Sequence, residues 1–188
     1  MAIDISGDFS LPVKSDDSRL RQGMPDLDAV LQLGPSLEFL LHQPGDALDT
    51  RIELPLRAAI TLGGTDFDLT GWLFEPRFSM ESRRHGRRGV SYKLTAGVRY
   101  ASDDYHAYYY EVTPEFVTGE RPAYSVADGF SGSFIRLRGS VRRGDWVWWF
   151  YARLTSIHGA AISDSPLVET KTHYMLGTGL SWIFASNL

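Results

Sequence analysis

Residues 48–62 read LDTRIELPLRAAITL. Leu48, Ile52, Leu54, Leu56, Ala58, Ile60 and Leu62 fall on one parity; Asp49, Arg51, Glu53 and Arg57 fall on the other. A period of two sends alternate side chains to opposite faces of an extended chain, so this stretch is a β-strand with one apolar and one charged face. The same alternation recurs along the chain. It appears in Ile3, Ile5, Phe9, Leu11 and Val13, in Ala29 to Leu41, and in Trp72, Phe74, Phe78 and Met80. It returns in Val90 to Tyr100, in Ile135, Leu137 and Val141, in Trp148, Phe150 and Leu154, and in Tyr174 to Phe184. No stretch reads better with helical spacing, so an all-β chain is expected.

Strand length narrows the class. Soluble strands average about 5–6 residues, whereas tilted strands that cross a bilayer need roughly 9–11. The alternations here are of the longer kind. Pro12, Pro35, Pro55 and Pro76 interrupt them and are read as strand ends or bulges. Long connections at 14–28, 63–70, 101–129 and 158–170 alternate with short ones at 43–47, 83–89 and 143–145. That is the pattern of an antiparallel transmembrane β-barrel with short periplasmic turns and long outer loops. Eight strands are preferred; a strand over residues 105–112 would make nine.

Composition sets the outer bounds. The chain has 188 residues, 43% hydrophobic and 13% aromatic, with net charge −4 and no cysteine. Nineteen basic residues against 23 acidic ones give no global attraction to nucleic acid. The absence of cysteine excludes thiolate metal sites and cysteine nucleophiles. The longest apolar run, residues 146–152, is far too short for a membrane helix. A soluble lipocalin-like carrier has the same alternation with its apolar face turned inward, so periodicity alone does not separate the two. Three features favour the membrane. Aromatics cluster near segment ends (Trp72, Tyr92, Tyr100, Trp146, Trp148, Trp149), as in interfacial girdles. The apolar faces carry large residues that would crowd a small interior. The last segment, with Gly179, Trp182 and Phe184, has the order of a C-terminal signal read by the outer-membrane assembly machinery.

Several stretches resemble the MltA-interacting protein (MipA/OmpV) family of outer-membrane proteins. They are SLPVKSDD at 10–17, GMPDLD at 23–28, LPLRAA at 54–59, YHAYYY at 105–110, RPAY at 121–124, DSPLV at 164–168 and SWIF at 181–184. The resemblance implies an outer-membrane barrel with no catalysis and no cofactor of its own. Such a barrel would be a scaffold that links the membrane to a lytic murein transglycosylase and a peptidoglycan synthase. Porin-like and adhesive roles are the alternatives it leaves open. Family members are longer and begin with a signal peptide, which Met1-Ala2-Ile3-Asp4 does not resemble. Residues 1–188 are therefore expected to be one barrel domain without the signal peptide and the first strands of a larger family barrel.

Candidate chemistry is sparse. Asp103, Asp104 and His106 bring two carboxylates and an imidazole close in sequence, the elements of a hydrolase. His158, Ser163 and Asp164 contain triad residue types, though too close together for a triad built from separate elements. Asp16, Asp17, Asp26 and Asp28 could gather a hard cation but lack the glycine-centred spacing of a calcium loop. His42, His85, His106, His158 and His173 show no ligand spacing, so no metal site is assigned. Arg83, Arg84, His85, Arg87 and Arg88 form the strongest charge cluster, a partner-binding candidate at a periplasmic turn; with nine strands it would face lipopolysaccharide instead. Arg51, Glu53, Arg57, Glu75, Arg77, Lys93, Arg99, Arg136, Arg138 and Arg153 should line the lumen.

Overall fold

A computed structural model describes residues 1–41, 48–63, 66–82 and 88–184. Nine strands form one antiparallel sheet: β1 (Ala2–Ser10), β2 (Val30–Leu40), β3 (Leu48–Gly63), β4 (Asp66–Phe74), β5 (Arg77–Ser82), β6 (Arg88–Ala101), β7 (Gly129–Arg143), β8 (Trp146–Ser156) and β9 (Thr172–Trp182). The order is β1-β2-β3-β4-β6-β7-β8-β9, with β5 between β3 and β6. β4 and β5 are two halves of one sheet position, because β3 pairs β4 through Leu56–Gly63 and β5 through Leu48–Glu53. The interruption is Glu75-Pro76, where proline has no N–H to give to the ladder. Eight positions result, the preferred count. Among the described residues no ladder joins β1 to β9.

The two faces of the sheet differ in polarity. On β3, Glu53, Pro55, Arg57, Ala59 and Thr61 are buried, while Leu56 and Leu62 are exposed. Register carries this split around the wall. Phe39, Ile52, Phe78, Ala96, Ile135, Leu154 and Tyr174 form one continuous outward row across seven sheet positions. Leu176 is 82% exposed and Phe67 74%, whereas Glu75 is 1% and Arg57 2%. A soluble carrier has the opposite arrangement, and water does not tolerate so large a contiguous apolar surface. The outward apolar face is the reverse of what a lipocalin-like carrier presents.

Four expectations need correction. The alternative ninth strand over residues 105–112 does not form; a helix, α1 (Asp103–Tyr110), the one α-helix among the described residues, occupies most of that stretch. Ser102 explains it: its Oγ accepts from the Tyr105 N–H at the helix start and from the Trp72 N–H at 3.1 Å. Asp103 and Asp104 add favourable charge in the first turn. The helix seats on a bulge in β4, where the register slips between Ala59 and Ile60. Gly71 there has φ +124°, and a Cβ on it would stand 2.1 Å from the Ser102 Oγ. Only glycine fits. Second, the expected long loop at 63–70 is mostly strand, since β3 runs to Gly63 and β4 starts at Asp66. Third, Pro35 and Pro55 lie inside β2 and β3, where the shared ladder lapses between Leu33 and Ser36. Fourth, β1 stops at Ser10, so Leu11 and Val13 belong to the following connection.

Apolar burial is concentrated at the end of the sheet where the long connections lie. Val30, Ala59, Leu73, Ala101 and Tyr105 form one cluster, and Ile157, Ala160 and Ile162 form a second. Among the described residues no helix is long and apolar enough to cross a membrane.

Candidate functional site: a charged inner face under a cross-bonded loop cap

Antiparallel register brings the inward charges of β3 to β6 into contact. Glu75, at the β4–β5 break, accepts from Arg99 Nη2 at 2.6 Å and Nε at 3.0 Å. Arg57 and Arg77 each stand 3.4 Å from the same carboxylate. Glu53 accepts from Arg77 Nε at 2.6 Å, Ser79 Oγ at 2.9 Å and Lys93 Nζ at 3.3 Å. Asp8 approaches Arg57 from β1 at 3.7 Å. Buried charges persist when paired and hydrogen-bonded. Glu53, Glu75, Arg77, Lys93 and Arg99 meet both conditions. Arg57 is ion-paired without a hydrogen bond, its Nε and Nη2 buried without an acceptor. The network closes the inner face of β3 to β6 with fixed ion pairs.

Above it the three long connections are tied to one another. Arg121 Nη1 donates to the carbonyls of Leu20 at 2.8 Å and Gln22 at 3.2 Å, while its Nε donates to Phe116 O at 2.9 Å. Arg21 Nη1 donates to Tyr109 O at 3.0 Å, and the Asp28 N–H donates to the Tyr108 hydroxyl at 2.7 Å. Ser165 Oγ donates to Tyr110 O, and Tyr124 OH to Ala161 O. Three segments far apart in sequence thus share one cap. Beneath it lies a cavity of about 470 Å³ whose lining includes Arg99, Tyr105, Tyr109, Glu169 and His173. Burial pushes the hydroxyls of Tyr105, Tyr109 and Tyr110 above the ordinary tyrosine range.

The structure separates the hydrolase candidates. His106 is fully buried with Nδ1 2.7 Å from the Ala127 carbonyl, whereas Asp103 and Asp104 are exposed at the helix start. His158 Nε2 meets Thr172 Oγ1 at 3.4 Å, and the Asp164 carboxylate instead takes the Lys171 ammonium at 2.9 Å. That ammonium holds Asp164 below the usual carboxylate range. Asp26 accepts from the Ser15 N–H and so serves its own loop. No group of three or more His, Cys, Asp or Glu suited to a metal occurs among the described residues.

Of the basic cluster, Arg83, Arg84, His85 and Arg87 lie outside the described residues, and Arg88 is the first residue of β6. In the C-terminal segment, Trp182 stacks on Trp146 with centroids 5.8 Å apart, and Phe184 meets Trp182 edge-on. Gly179 lies against the Trp149 ring, where a Cβ would stand 2.2 Å from Cζ2. Sequence reasoning missed the cap residues Arg21, Tyr108 and Arg121, and missed Asp8 as a partner of Arg57. The alternation of β1 marks Asp8 as inward; nothing local marks Arg121.

Residues 1–184 match a protein-family model described as MltA-interacting protein MipA. No curated protein and no solved structure matches the chain.

Proposed function

The chain belongs to the MltA-interacting protein MipA family, and on that premise we propose that it is an outer-membrane β-barrel scaffold. It holds a lytic murein transglycosylase, together with a peptidoglycan synthase, against the inner surface of that membrane. Inverted polarity is the observation that carries the membrane placement. Apolar rows face outward over the whole sheet, and a paired charge network lies within. Among the described residues the outer edges of β1 and β9 have no strand partner, and such edges cannot stay bare in lipid. We take them as the seam where further strands complete a single barrel domain.

Fixed ion pairs across the inner face of β3 to β6 and a cross-bonded cap favour a scaffold over a passive pore. The partner contact is assigned to the short-turn end, at Arg83, Arg84, His85, Arg87 and Arg88. Gly179, Trp182 and Phe184 are assigned to recognition by the assembly machinery, with Trp182 and Phe184 exposed for it. The test is retention of a purified lytic transglycosylase by the barrel refolded in lipid vesicles. Charge reversal at the arginine turn should release it. Equal retention by protein-free vesicles would overturn the scaffold, and steady conductance in planar bilayers would favour the pore.

A further inference from the structure

The inner face of β7, β8 and β9 differs from the rest of the lumen. These three strands contain no acidic residue, yet Arg136, Arg138 and Arg153 all project from the inward parity. Arg136 and Arg153 are direct cross-strand partners. Like charges placed opposite one another are unfavourable, and here the pair is also drawn together on one ring. Both guanidinium carbons lie 5.2 Å from the Phe134 centroid. Across the lumen, Arg77, Lys93 and Arg99 have Glu53 and Glu75. Among the described residues Arg136, Arg138 and Arg153 have no acid partner, and Arg136 Nε is buried with no hydrogen-bond acceptor. Arg153 Nε is used by Thr155 Oγ1 at 3.1 Å, which leaves its terminal nitrogens free to bind.

We propose that this wall is an oxyanion site in which phosphate or carboxylate oxygens bridge the guanidinium groups of Arg136 and Arg153, with Arg138 as the next cation along β7. A bridging anion turns cross-strand repulsion into two attractive contacts. Planar guanidinium forks suit the paired oxygens of such groups better than they suit a monatomic ion. Phe134 holds both forks in place through cation–π contact. The site is independent of any scaffold role, since it needs only the folded sheet.

The experiment titrates the full chain, refolded in zwitterionic detergent, with inorganic phosphate and separately with citrate, each against chloride at constant ionic strength. Calorimetry reads binding and the thermal midpoint reads stabilisation. Saturable binding is expected, weakened about ten- to hundredfold in Arg136→Gln and in Arg153→Gln. Arg143→Gln, on the outward parity, should bind as the parent does. Without added oxyanion, Arg153→Gln should be no less stable than the parent, because it relieves the like-charge contact. The two arms show whether phosphate or carboxylate chemistry is preferred. Should either glutamine variant fail to refold, Arg136→Lys and Arg153→Lys keep the charge and lose the fork, and weaker but saturable binding is expected. A response that follows ionic strength equally in chloride, or unchanged affinity in the variants, overturns the site.

Discussion

Converting Glu75 to glutamine should destabilise the sheet more than removing any single cation around it. Its carboxylate is 2% exposed and faces Arg99, Arg57 and Arg77 at 2.6, 3.4 and 3.4 Å. At an effective dielectric of about 20, a pair at such distances is worth roughly 5 kcal/mol before desolvation is counted. Glutamine keeps the shape and loses the charge, leaving Arg57, itself 2% exposed, with only half-exposed Asp8 at 3.7 Å. Leaving a buried charge without its partner costs about 3–5 kcal/mol. Arg57→Met is the contrasting change, because Glu75 keeps both bonds to Arg99. It gives up the ion pairs to Glu75 and Asp8, neither of them a hydrogen bond. It also removes the buried unsatisfied guanidinium nitrogens and the repulsion between Arg57 and Arg99, so its cost should stay below that of Glu75→Gln. Urea unfolding from lipid vesicles, followed by tryptophan fluorescence, gives both values on one scale. Equal losses, or a larger loss for Arg57→Met, would refute a network organised around Glu75.

Gly179→Ala should lose about 1–3 kcal/mol in the same assay by overpacking against Trp149, while Gly177→Ala, with its nearest neighbour at 3.7 Å, should stay near the parent. Arg121→Ala should raise hydrogen exchange and protease cleavage in the connections at 11–29 and 102–128 without shifting the urea midpoint of the strands, because its bonds lie wholly within the cap. Alkali should open the cap before it unfolds the sheet. The buried phenols of Tyr105, Tyr109 and Tyr110 have raised folded-state pKa values, so their contribution is complete below the unfolded pKa of about 10 and is lost as pH climbs through the folded values. Absorbance at 295 nm should show these three ionising at higher pH in the folded protein than in the urea-unfolded chain. Coincident folded and unfolded titrations would contradict burial of these phenols under the cap.

What could be read in advance follows from the range of the forces involved. Alternation is local, so Leu48 to Leu62 revealed a strand and its two faces without knowledge of the partners. The same signal existed in Phe67 and Leu69 against Asp66, Asp68 and Thr70, but the glycine pair Gly63-Gly64 disguised it as a loop. Helix α1 escaped because eight residues are too few for a 3.6-residue period to declare itself. What holds it is distant: a serine cap shared with β4, and Gln32 Nε2 reaching the Tyr105 hydroxyl at 3.3 Å. Inward charges were legible one by one. Which acid meets which base depends on register, as when Arg77 finds Glu53 across β3 and β5. The Arg136–Arg153 opposition was hidden for the same reason.

The cap imposes an order on assembly. Arg121 bonds residues about a hundred positions earlier, and Ser165 reaches Tyr110 fifty-five positions back. None of these bonds can form until β2, β6 and β8 have each delivered their connections to the same end of the sheet. Contacts this distant in sequence carry the largest loop-closure cost and come late. Protease resistance of the three connections is then a completion mark. It separates a finished wall from one stalled with its strands paired but its last hairpin absent.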